Sequence, residues 1–96
     1  MKEIKESLKQ MMYILFKSHP ELEKDFRHNI KIENGRKYGM SNSEFRNYER
    51  HTLTITYPRK YRDEVFTISK FCGINFAHEY YDEETITFKS DDTNFN

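Results

Sequence analysis

HTLTITYPRKYRDEVFTISKFCGINFAHEYY, residues His51 to Tyr81, changes hydrophobic period twice, and each change is punctuated. Leu53, Ile55 and Tyr57 alternate with Thr52, Thr54 and Thr56, the period of a strand with one apolar face, and Pro58 ends it. Tyr61, Val65, Ile68 and Cys72 then recur at helical spacing, with Gly73 placed to supply a left-handed cap, so a helix is predicted over 59–72. Beyond it, Ile74, Phe76, His78 and Tyr80 alternate with Asn75, Ala77, Glu79 and Tyr81. The stretch reads strand, helix, strand.

Upstream, Ile4, Leu8, Met11, Met12 and Leu15 form the stripe of an amphipathic helix, predicted over 2–17. Ser18-His19-Pro20-Glu21 has the form of a capping box with Pro in the first turn, which predicts a second, shorter helix to about Arg27, with Leu22 and Phe26 on its apolar side. Asn29 to Met40 reads as a hairpin with Asn34-Gly35 at its tip. A three-residue loop, Glu33-Asn34-Gly35, pairs Ile30 with Tyr38 and His28 with Met40 and gathers the apolar residues on one face. Ser41 to Glu44 reads as a loop. Downstream, Asp82-Glu83-Glu84 turns the chain into a strand over 85–89.

The expectation is a single α+β domain over residues 1–90, with an aperiodic tail, 91–96, that frays. Its sheet has about five strands and is largely antiparallel, with an N-terminal helix or helix pair and one crossover helix on one face. Strand, crossover helix and following hairpin also make up half of a ferredoxin-like sheet.

Composition sets the limits of such a domain. Ninety-six residues give room for one modest core, and the apolar fraction of 35% is low. Eight Phe and seven Tyr compensate, since each aromatic can bury roughly 150–250 Å². With a formal net charge of zero, so many aromatics argue for order rather than disorder. The lone Cys72 excludes an intramolecular disulfide and points to a reducing compartment, the cytoplasm. The apolar run Met11 to Phe16 is too short for a signal-peptide core or for a membrane span of about 20 residues, so no membrane association is expected.

The residues offer little for catalysis. Cys72 sits on an apolar stripe at a helix C-terminus, where the dipole disfavours a thiolate, so it reads as a buried, inert thiol. His19, His28, His51 and His78 are scattered without metal-ligand spacing, and no metal or cofactor is expected. Asp82, Glu83 and Glu84 are adjacent acids in a turn, which point apart and are solvated. No glycine-rich phosphate loop occurs. The expectation is a protein that is not an enzyme.

Net neutrality hides a partition. Residues 27–62 carry nine Lys or Arg against three Glu, and residues 63–96 carry two Lys against eight acids. The plain account is that the two portions neutralise each other within the fold. Two binding accounts compete with it. The acidic end, Glu79, Tyr81, Asp82, Glu83, Glu84, Asp91 and Asp92, with Tyr80 and Phe88 nearby, suits docking onto a basic protein that handles nucleic acid. The basic middle, Arg36, Lys37, Arg46, Arg50, Arg59, Lys60 and Arg62, interleaved with tyrosines, suits nucleic acid itself. The protein-binding reading is preferred, because a neutral chain supplies little long-range attraction for a polyanion. A homodimer through the threonine face or an exposed strand edge is a further candidate. In size, aliphatic poverty and lack of motifs the chain resembles the inhibitors made by phages and other mobile elements, including anti-CRISPR proteins; the resemblance is one of general character and assigns no residue.

Overall fold

The computed structural model describes residues 4–38 and 45–95. The elements in chain order are α1 (Ile4–Ser18), a 3-10 turn (Pro20–Lys24), β1 (Arg27–Tyr38), β2 (Phe45–Pro58), a second 3-10 turn (Arg59–Tyr61), α2 (Arg62–Phe71), β3 (His78–Tyr81) and β4 (Thr85–Phe95). This is a small α+β domain with two α-helices and one four-stranded antiparallel sheet, in the order β1-β2-β4-β3. Strands β2 and β3 run in the same direction with β4 between them. The β2-α2-β3 connection is therefore a split β-α-β unit.

The parity of the opening stretch decides what is buried. Leu53, Ile55 and Tyr57 of β2 are fully buried, and their β4 partners Ser90, Phe88 and Ile86 are buried on the same face. One core joins them to Ile4, Leu8, Met11 and Leu15 of α1, Val65 of α2, and Leu22, Phe26, Tyr61, Cys72 and Ile74 of the connections. Aromatic rings fill the space that scarce aliphatics leave. Tyr57 meets the Phe88 ring edge-on at 5.4 Å and stacks on Phe26 at 6.2 Å, and Phe16 meets Phe26 edge-on at 5.5 Å. On the opposite face Thr56 and Thr87 share a 3.0 Å hydrogen bond, and the Thr52 hydroxyl donates to Asp91 at 3.0 Å. Thr52 is thereby buried, and Thr54 and Thr56 are half-buried.

Four expectations need correction. The sheet has four strands and not five, because the chain passes through Asn34-Gly35 without turning: β1 pairs with β2 in unbroken register from Arg27↔Thr56 to Tyr38↔Phe45. Gly35 lies opposite Tyr48, and a Cβ there would come within 2.7 Å of the tyrosine ring. The glycine serves a close approach, not a left-handed turn. The Ser41–Glu44 loop, and Met40 of the expected His28 pairing, lie outside the described residues. Second, Ser18 ends α1 instead of capping a new helix: the His19 N–H donates to the Leu15 carbonyl, and the following five-residue 3-10 turn has no side-chain cap. Third, the helix expected over 59–72 begins as the 3-10 turn, and the strand expected from Ile74 starts only at His78. Finally, residues 91–95 continue β4 opposite Tyr48–Thr52, because the long β2 offers them backbone partners.

A candidate acidic binding edge

Among the described residues, strand β3 pairs on one side only, with β4, and all four of its residues are exposed. Tyr80 and Tyr81 are 56% and 55% exposed. Their positions opposite Thr87 and Ile86 place Tyr80 on the threonine face and Tyr81 on the core face. Glu79, opposite Phe88, shares the core face with Tyr81, and both carboxylate oxygens are engaged there. The Tyr81 hydroxyl donates to one at 2.7 Å, and the Arg62 guanidinium donates to the other at 2.8 Å. These bonds, the Tyr81 one foremost, hold the Glu79 carboxyl below its ordinary range. Arg62 is further fixed by the Phe66 ring, 4.6 Å from the guanidinium, and by Asp63.

The turn that follows is held by its own backbone. The Asp82 N–H donates to the Thr85 carbonyl at 2.9 Å, and the Glu83 N–H donates to the Asp82 carboxylate at 2.8 Å. Arg59, the first residue of the 3-10 turn after β2, braces it: its N–H reaches the Glu84 carbonyl at 2.9 Å, its guanidinium the Asp82 carbonyl at 3.2 Å, and the same group lies 5.2 Å from the Tyr81 ring. Arg59 thus uses carbonyl oxygens, so the carboxylates of Glu83 and Glu84 have no ion-pair partner among the described residues.

The sequence-derived acidic set divides. Glu79, Tyr81, Asp82, Glu83 and Glu84 lie together, whereas Asp91 and Asp92 sit opposite Thr52 and His51, about 20 Å along β4 from the turn. The basic set divides as well. Arg36 donates to Asn47 across the β1–β2 pair, Lys37 lies opposite Arg46 in register, and Arg50 lies opposite Glu33. Arg59, Lys60 and Arg62 are at the other end of β2, about 40 Å from Arg46 by strand rise. Of the tyrosines interleaved with them, Tyr57 and Tyr61 are in the core, and Tyr48 is half-buried.

A polar cluster escaped the sequence reading. His19 contacts both Glu64 of α2 and Glu21, while Tyr61 donates to Glu21 at 2.9 Å, tying the 3-10 turn after α1 to α2. Only tertiary packing joins these residues, since Glu64 lies 45 positions from His19. Among the described residues no three His, Cys, Asp or Glu side chains converge as metal ligands, and no helix is long and apolar enough to cross a membrane.

Fold and site define a small α+β domain with a tyrosine-bearing acidic sheet edge. The chain matches no protein-family model, no curated protein and no solved structure, so the reading of this edge rests on its geometry.

Proposed function

We propose that the protein is a non-enzymatic interaction module that docks the β3 edge and the Asp82–Glu84 turn onto a basic surface of a cytoplasmic, nucleic-acid-handling protein, in the manner of phage and mobile-element inhibitors. The observation that carries this is the exposure of all four β3 residues beside a braced turn whose glutamates have no ion-pair partner among the described residues. An unpaired edge offers backbone hydrogen bonds, and Tyr80 and Tyr81 offer rigid amphipathic anchors of the kind that dominate interface energies, at roughly 2 kcal/mol or more each when fully enclosed. The carboxylates supply steering toward a basic groove and repel nucleic acid. The nucleic-acid reading has less support, because its basic residues lie toward two ends of β2 and two of its tyrosines, Tyr57 and Tyr61, are buried.

Affinity capture with the wild type and with a Tyr81→Ala/Glu83→Lys/Glu84→Lys variant tests this. A basic nucleic-acid-handling protein should be retained by the wild type and lost by the folded variant. Tight, salt-sensitive binding of short RNA or DNA, lost on replacing Arg36, Lys37, Arg59 and Lys60, would contradict it in favour of nucleic acid.

A further inference from the structure

The sheet order places β1 and β3 on opposite edges, and the edges differ in charge. β1 carries four Lys or Arg against one Glu, whereas β3 with its turn carries four acids and no Lys or Arg. Three strand spacings separate them by about 14 Å. That exceeds a Debye length of about 10 Å at 0.1 M salt, so each edge presents its own charge to a partner.

The β1 edge is long. It runs for 12 residues without a bulge, and no described strand pairs with its outer side. Sheets normally break or cover such an edge, because it leaves a row of backbone N–H and C=O groups open. Beside it α1 and β1 form an open groove of about 500 Å³. Leu8, Met12 and Ile30 give this groove an apolar floor, and Lys5, Lys9 and His28 line it without any Asp or Glu. Lys5 and Lys9 are one helical turn apart, and neither has an ion-pair partner among the described residues.

We infer that the β1 edge is a second docking site, one that takes an acidic extended segment of another polypeptide as an added strand. The open backbone groups select a strand over a helix, since only an extended chain presents matching donors and acceptors along one side. The groove then sets the sequence. Side chains alternate across a strand, so those facing α1 meet Leu8, Met12 and Ile30 where they are apolar and Lys5 and Lys9 where they are acidic. The mixed lining discriminates against a basic strand, which would leave the two lysines facing like charge.

The test is selection of a displayed library of random twelve-residue peptides on the immobilised full chain, followed by fluorescence anisotropy of the strongest binder. Enriched peptides should carry both β-branched residues and Asp or Glu at every second position, the face that meets α1. The Lys5→Glu/Lys9→Glu variant should weaken the binder at least tenfold, and Lys5→Gln/Lys9→Gln, which keeps the helix without the charge reversal, should weaken it less. Methylation of alternate backbone nitrogens in the peptide should abolish binding, while Tyr81→Ala/Glu83→Lys/Glu84→Lys should leave it unchanged, which separates this site from the β3 edge. Failure to enrich acidic peptides, equal binding by the lysine variants, or equal binding of the methylated peptide would overturn the inference.

Discussion

Tyr57 is fully buried, and its hydroxyl has no hydrogen-bond partner among the described residues. An unsatisfied buried hydroxyl costs about 1–3 kcal/mol, so Tyr57→Phe, which keeps the ring contacts with Phe26 and Phe88, should raise stability by about 1 kcal/mol in urea unfolding with an unchanged denaturant slope. The same hydroxyl is pushed well above its ordinary value of 10.0 by burial. It stays neutral in the fold and ionises in the unfolded chain, so stability falls as pH rises past that value, and Tyr57→Phe should lessen the loss. Glu79 acts at the other end of the scale. Its carboxyl is held below 4.5 in the fold, so its contribution is present above that pH and is lost as pH falls below it. Glu79→Gln should therefore narrow the difference between urea midpoints at pH 7 and pH 3. The alternation of Leu53, Ile55 and Tyr57 made their burial legible, and the helical stripe did the same for Cys72, which is 2% exposed. Nothing local could have told that Tyr57 lacks a partner, because that depends on groups brought near by α2 and β4.

At the scale of elements, the two informative glycines do opposite work. Gly73 adopts φ +80 and ends α2, as the helical period followed by glycine predicted, and open space surrounds the missing Cβ. Gly73→Ala therefore pays only for backbone conformation: a loss of about 1–2 kcal/mol, read as a thermal midpoint lowered by roughly 4–8 °C per kcal/mol. Gly35 is extended, and the Tyr48 ring occupies the place of its side chain. Gly35→Val should displace that ring and lower the urea midpoint, although valine is the better strand former; a stabilised variant would show that the ring contact is unimportant. The hairpin expected at Asn34-Gly35 does not form: Asn-Gly is a strong turn signal locally, while the longer β1–β2 pairing outweighs it globally. Residues 91–95 join the sheet for a related reason. A strand paired along an already formed neighbour needs backbone partners more than an apolar period, and β2 supplies them to residues 91–95.

For the whole molecule, the sequence showed that charge was partitioned but not where the portions would lie. Part of it cancels: Arg62 pairs with Glu79, and Arg59 braces the acidic turn. The rest separates, because β4 is inserted between β2 and β3 and leaves the basic strand β1 and the acidic strand β3 at opposite margins. Under the two proposals, these margins are independent binding edges of opposite preference. Amide-resolved NMR of the labelled full chain tests this, with titration at 0.1 M salt by an arginine-rich peptide and, separately, by an acidic peptide that carries glutamate and valine in turn at every second position. The basic peptide should shift the amides of residues 78–84, and the acidic peptide those of β1 and the facing side of α1. Shifts from both peptides on one common set of amides, or shifts from the basic peptide confined to residues outside 78–84, would contradict it.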